Sequence, residues 1–208
     1  IADGIPATMP DGQGQAATFN LDAAERLEVL RGPYSALYGN HGGGVIQLFT
    51  REGQAPASAA AAFQAGSDGS WKSDFSAQGR NGSLGYALDA SRFATDGYRA
   101  HSAATRDQAA AKLSITLDND ARLTLLGNGL WQHNTQDPLG VRLATWQADP
   151  RASETVATLF NTRKSIDHLQ GGARYEQRFG DDRIDVAVWS GTRQVTQFLA
   201  LQTNGVVR

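Results

Sequence analysis

The 208-residue sequence predicts a mainly β protein, an antiparallel up-and-down meander preceded by a small α+β segment. Three observations predict it. From about residue 57 onward, apolar and polar residues alternate with a period of two, as in strands with one apolar and one polar face. Proline, which is excluded from the interior of paired strands, occurs after residue 60 only at Pro138 and Pro150. Short turns rich in Asn, Asp and Gly alternate along the chain with longer polar connections.

The elements follow in order. "IADGIP" is an apolar pair followed by an Asp-Gly turn. "ERLEVLRGP" sets Leu27 and Val29 against Glu28 and Leu30, a short strand stopped at Gly32-Pro33. "YSALYG" makes about one helical turn, with Pro33 suited to its first position and Gly39 to its end. "GGGVIQLFTRE" returns as a second strand, with Gly43 and Gly44 in a glycine cluster where backbones approach closely.

Beyond residue 57 the alternation is explicit. Trp71, Phe75 and Ala77 oppose Lys72, Asp74, Ser76 and Gln78. Ala109, Ala111, Leu113, Ile115 and Leu117 oppose Gln108, Lys112, Ser114 and Thr116. Leu169, Ala173, Tyr175 and Phe179 oppose Gln170, Arg174, Glu176 and Arg178, and Ile184, Val186 and Val188 oppose Asp185, Ala187 and Trp189. With two less regular segments between them, these give seven strands beginning at about residues 57, 70, 83, 107, 120, 165 and 182.

"GRNGS", "DNDA" and "GDDR" are tight hairpin turns, whereas "GSDGS", residues 95–106 and residues 133–164 are the other connections. Short turns at one end and long loops at the other are the construction of a membrane β-barrel. A soluble β-sandwich or meander alternates in the same way, so periodicity leaves both open.

Composition excludes several classes. Nineteen basic and 21 acidic residues give a net charge of −2 without a basic stripe, which argues against nucleic acid. There are no cysteines, so disulfide frameworks and thiolate metal sites are ruled out. No apolar run approaches the roughly 18 residues of a spanning helix. Both ends, "IADGIP" and "NGVVR", read as interior to a longer chain.

Residues 25–51 resemble the end of the plug domain of TonB-dependent outer-membrane receptors. That family closes its plug with E-R-I-E-V-L-R-G-P-x-S-x-L-Y-G, a Gly-Gly-V-I-N-I stretch, and Thr-Lys or Thr-Arg. Here these are Glu25 through Gly39, Gly43 through Leu48, and Thr50-Arg51, with "ADGIP" similar to the family's V-D-G-I-P element. The sequence departs from the pattern at His41-Gly42 and Gln47, neither of which touches the turn glycines Gly32, Gly39, Gly43 and Gly44.

The resemblance implies that residues 1–53 are the C-terminal half of a plug, and that residues 54–208 are the first seven or so strands of a barrel of about 22. It implies energy-coupled uptake of a scarce ligand, a ferric siderophore foremost, with cobalamin, carbohydrate or another metal chelate as alternatives. Implied partners are that ligand, outer-membrane lipid, and TonB with ExbB–ExbD through a segment ahead of residue 1. No cofactor, catalytic residue or resident metal is expected. A signalling domain ahead of the plug stays open, as does a soluble β-rich binding module that mimics the motif. A piece with open sheet edges is also expected to oligomerise.

Three groups of residues carry the functional expectation. Met9, Pro10, Asp11, Gly12, Gln13 and Gln15 follow the D-G-I-P strand, where the family places a ligand-facing apex; the alternative is an ordinary Gly-rich loop. Glu25, Arg26, Glu28 and Arg31 lie on a strand that a barrel would enclose, so their charges need partners, either on the wall or within the plug. Arg142, Trp146 and Arg151 sit in a connection longer than a hairpin needs, and suit either an anionic aromatic chelate or a covering loop.

Other motifs carry less. "GNHGGG" lacks the lysine and hydroxyl residue of a phosphate-binding loop. His41 reads as a turn residue, His101 and His133 as polar loop surface, and His168 as facing the barrel lumen.

Overall fold

The computed structural model describes residues 1–7, 18–32, 43–118, 121–203 and 206–207. The expected apex residues Met9 through Gln15, the helical turn from Pro33 to Gly39, and His41 lie outside the described residues.

The N-terminal unit is built around two strands, β1 (Ala24–Arg31) and β2 (Gly44–Thr50), paired antiparallel with Leu27 opposite Leu48 and Val29 opposite Ile46. Residues 1–5 add a small hairpin. Ala2 and Ile5 exchange two 2.8 Å backbone hydrogen bonds around Asp3 and Gly4, both at positive φ. That is the geometry for which Asp-Gly is suited. The hairpin docks on β2 through Asp3 N–H to the Leu48 carbonyl and Leu48 N–H to the Ile1 carbonyl, each 2.9 Å. Ile1, Ile5, Ala23, Val45 and Leu48 form its buried core, while Leu27, Val29 and Ile46 remain exposed. Gly44, at φ +142°, lies so close to the Leu30 carbonyl that a Cβ there would sit 2.6 Å from its oxygen.

The larger unit is one seven-stranded sheet in sequence order: β3 (Ser58–Ala65), β4 (Trp71–Asn81), β5 (Leu84–Thr95), β6 (Ala104–Thr116), β7 (Arg122–Gln136), β8 (Arg163–Phe179) and β9 (Asp182–Phe198). Every neighbouring pair is antiparallel. The expected strand starts each fall within a few residues of these. A small hairpin of β10 (Gln202–Thr203) and β11 (Val206–Val207) follows.

Register assigns the two faces, because directly opposed residues point the same way. One row runs Gln78, Ala87, Lys112, Leu126, Gly172 and Trp189, and the row two residues away runs Ser76, Asp89, Ala110, Asn128, Gln170 and Gly191. This mostly polar face carries the N-terminal unit. The opposite face presents Phe75, Leu88, Leu113, Leu125, Leu169, Ile184, Val186 and Val188, all exposed. A polar face that is covered and an apolar face that is bare invert the arrangement of a soluble sheet.

The apolar band has an upper border. Phe63 and Trp71 stack with ring centroids 6.3 Å apart, and the Trp131 ring lies over Gly129. Nearby, toward the long-loop end, the same face turns polar with the Arg92–Asp107 pair at 3.7 Å and the His133–Asp167 pair at 2.7 Å.

Short turns after β4, β6 and β8 lie at one end; residues 66–70, 96–103 and 137–162 lie at the other. The longest connection contains two short helices that the sequence reading treats as loop, α1 (Leu143–Ala148) and α2 (Thr155–Leu159). The loops are fastened together. Arg99 donates to the carbonyls of Ala152 (2.8 Å), Leu139 (2.9 Å) and Pro138 (3.4 Å). Arg151 pairs with Asp68 at 2.9 Å and lies over the Tyr98 ring at 4.6 Å.

Candidate functional site: the seam between the N-terminal unit and the sheet

Charges on the covered face of a sheet need partners, and the N-terminal unit supplies them. Lys112, in the middle of β6, is buried. Its ammonium donates to Asp3 Oδ1 at 3.2 Å, to the Thr50 carbonyl at 3.2 Å, and lies 2.6 Å from Glu52 Oε1. Asp3 is held from its own side by the Thr50 N–H (3.1 Å) and hydroxyl (2.5 Å). Glu52 also pairs with Arg122 of β7, and Arg51 with Asp89 of β5. Lys72 of β4 bridges Asp22 (2.5 Å) and Asp74 (2.8 Å). Burial alone would raise the Asp22 carboxyl, but the hydrogen bond and charge of Lys72 outweigh it and hold that carboxyl below its ordinary value.

Neutral contacts complete the seam. Gln108 donates to the Phe19 carbonyl at 3.4 Å and Gln170 to the Pro6 carbonyl at 3.0 Å. The chain leaves the N-terminal unit through Gly53, whose backbone lies flat on the sheet. A Cβ at Gly53 would fall 2.3 Å from the Tyr86 nitrogen and 2.4 Å from the Gly79 oxygen. Gly172 makes similar room for Ile5, whose Cδ1 would meet a Cβ there at 2.4 Å.

Two cavities open along the seam. A small one of about 50 Å³ is bordered by Asn20, Ala23, Asn128 and His168. A larger one of about 410 Å³ is bordered by Glu25, Arg26, Glu52, Arg122, Arg174 and Glu176. Near it, Arg174 pairs with Asp185 at 2.5 Å, and Arg183 with Glu176.

The residues expected to anchor the N-terminal unit occupy different places. Arg26 pairs with Glu28 two positions along the same strand at 2.9 Å and lies 4.2 Å over the Phe49 ring. Glu25 and Arg26 border the larger cavity, and Arg31 is exposed at the end of β1. Among the described residues, the ion pairs that cross the seam use Asp3, Asp22, Arg51 and Glu52 instead. The signal for them was present: Asp89 and Lys112 are charges on strand positions between apolar neighbours, Lys72 alternates with Trp71, and such charges require partners.

The expected loop residues lie in the longest connection, at and just after its first helix. Arg142 and Trp146 are exposed at and within α1, whereas Arg151 is engaged in the clasp with Asp68 and Tyr98. His101 bonds the Thr162 carbonyl at 2.9 Å, and His168 is buried on the covered face, as its place in the alternation implies. Among the described residues no group of three or more His, Cys, Asp or Glu could hold a metal ion.

Comparison with known proteins finds a family match within the N-terminal unit and a fold likeness over most of the chain. Residues 1–45 match the TonB-dependent receptor plug domain family. The fold is similar to the crystal structure of the ferric enterobactin receptor PfeA in complex with BCV-L6, with a TM-score of 0.61 and 18% sequence identity. That alignment covers 92% of this chain and 32% of the receptor, so the chain spans about a third of the length of the structure it matches. The plug-family match thus falls on the N-terminal unit, and the antiparallel sheet on which that unit is seated by ion pairs shares the fold of the matched receptor.

Proposed function

We propose that this chain works as part of a longer outer-membrane receptor that imports a scarce ligand on energy delivered through TonB. Residues 1–53 are the moving part and residues 54–208 a section of the wall. The observation that carries the proposal is the character of the seam. Beside apolar contacts such as Ile5 over Gly172, it is held by a set of ion pairs and hydrogen bonds, which water can replace one at a time. Such a plug is held firmly at rest and yields to a pull. The bare apolar face of the sheet is suited to lipid, which favours the membrane reading over a soluble β-rich module.

A ferric siderophore is the favoured ligand, consistent with the ferric enterobactin receptor being a fold relative. Residues Met9 through Gln15 and the loop residues Arg142, Trp146 and Arg151 are proposed to meet it from the plug and wall sides. Glu25, Arg26, Glu28 and Arg31 are proposed to face wall strands beyond β9, where Leu27, Val29 and Ile46 would also be covered. The partners are TonB with ExbB–ExbD, and no catalytic chemistry is involved. The test is accumulation of radiolabelled iron chelates by iron-starved cells expressing the whole receptor, with and without TonB. TonB-dependent accumulation of one chelate supports the reading. Accumulation of none, with TonB-dependent uptake of cobalamin or a sugar, would move the ligand assignment; no TonB-dependent uptake at all would overturn the proposal.

A further inference from the structure

Besides its ion pairs, the seam contains a line of neutral side chains that ends on the plug backbone. His168 of β8 is buried, and its Nε2 lies 3.2 Å from Asn128 Oδ1 of β7. Asn128 donates through Nδ2 to Gln170 Oε1 at 3.4 Å. Gln170 in turn donates through Nε2 to the Pro6 carbonyl at 3.0 Å. Each amide accepts on its oxygen and donates from its nitrogen, so the line has one direction. That direction fixes the histidine: with Asn128 Oδ1 as acceptor, Nε2 must carry the hydrogen.

His168 Nδ1 has no protein partner among the described residues and borders the small seam cavity, as does the equally unpartnered Asn20 Nδ2. Buried, with one hydrogen bond to a described side chain and that bond at the head of a line, His168 is placed to hold Asn128. Replacing it by an apolar side chain would leave Asn128 Oδ1 short of a donor and free its amide to rotate.

We propose that His168, Asn128 and Gln170 form a directional hydrogen-bond relay that positions the plug at Pro6, where the chain leaves the Asp3-Gly4 hairpin for residues 8–17. Gln170 is the contact residue, and His168 and Asn128 are positioning residues that act through it. The proposal rests on the seated plug described above, but its test does not depend on transport. The relay sets the start of the 8–17 segment, whereas the ion pairs of Lys112, Arg51 and Lys72 seat the plug as a whole. Losing the relay therefore loosens one place only.

Residues 1–208 contain no cysteine, so once any cysteine elsewhere in the whole receptor is replaced by serine a single introduced thiol reports locally. In the whole receptor with Ala7→Cys, maleimide labelling is followed on the folded fraction, isolated by its heat-modifiable gel migration. Gln170→Leu and His168→Leu are each expected to raise the labelling rate about fivefold, the loss of roughly one hydrogen bond. His168→Gln, whose amide nitrogen can donate to Asn128, is expected to stay near the parent rate. Labelling at Ala23→Cys, on the same seam, is expected not to change in any of the three. Unchanged labelling at residue 7 in both leucine variants would overturn the relay. So would His168→Gln labelling as fast as His168→Leu, or equal acceleration at residue 23. If no variant or parent takes up ligand, the transport reading fails while the labelling contrast still decides the relay.

Discussion

Replacing Lys112 by methionine removes the ammonium at the centre of the seam while keeping most of the volume. In the parent, that ammonium serves Asp3, Glu52 and the Thr50 carbonyl at once. Breaking a buried pair from one side costs about 3–5 kcal/mol, because the opposite charge is left unpaired. Here the loss is smaller. Asp3 keeps two bonds to Thr50, and Glu52, about a third exposed, keeps Arg122. A cost of about 2–3 kcal/mol follows, which raises the population of detached plug roughly 30- to 150-fold. The assay is alkylation of an Ala23→Cys thiol in the whole receptor, since Ala23 is 1% exposed and borders the seam. Its labelling rate should rise by that factor, with the wall still folded by heat-modifiable migration. A second variant, Asp3→Asn with Lys112→Met, should recover part of the loss because the stranded charge is gone. A rate within twofold of the parent for Lys112→Met alone would refute the claim that this lysine seats the plug.

Further outcomes follow from other parts of the structure. The Asp22 carboxyl is depressed by Lys72, so the stabilisation it gives is present above the unfolded carboxylate value of about 3.9 and is lost as pH falls through the lower folded value. The melting-temperature gap between parent and Asp22→Asn should therefore be constant from about pH 5 upward and close below about pH 4; a gap that instead opens on acidification would reverse the sign. Arg99→Ala should speed proteolysis within residues 137–162 at least about tenfold while the strands survive, since it removes up to three hydrogen bonds that clasp the loops. Arg99→Lys should restore little, because one ammonium cannot reproduce the guanidinium fork. Gly53→Ala should block assembly, as its Cβ would meet backbone atoms of Tyr86 and Gly79 well inside contact distance; normal yield of folded receptor would show that the crossing can shift. Leu125→Arg, in the middle of the bare apolar face, should cost about 2–4 kcal/mol of stability in bilayers and little in the absence of lipid.

Most of the wall was legible in the sequence because a strand declares itself locally. Leu113 between Lys112 and Ser114 already states two faces, and Asn-Gly at 81–82 already states a turn. The N-terminal unit was legible through its motif rather than its periodicity, since β1 and β2 are short and Leu27 and Val29 stay exposed. What stayed hidden was every contact set by the tertiary fold. Lys112 meets Asp3 across 109 positions of sequence, and no spacing rule reaches that far. Glu25 and Arg31 drew attention because they stand in a recognisable strand, yet the described ion pairs to the wall come from residues flanking β1 and β2. The helices α1 and α2 are 6 and 5 residues long and begin without a side-chain cap, so nothing local announces them. Arg99 likewise looks like any loop arginine until the carbonyls of the longest connection are folded around it.

If ion pairs across the seam hold the N-terminal unit on the sheet, a charge swap at Arg51 and Asp89 should break and then restore that hold. Labelling at Ala23→Cys is measured for Arg51→Asp, for Asp89→Arg, and for the two together. Each single change is expected to open the seam at least about tenfold, and the double change to return most of the way to the parent rate. Single changes without effect, or a double change as open as the singles, would contradict it.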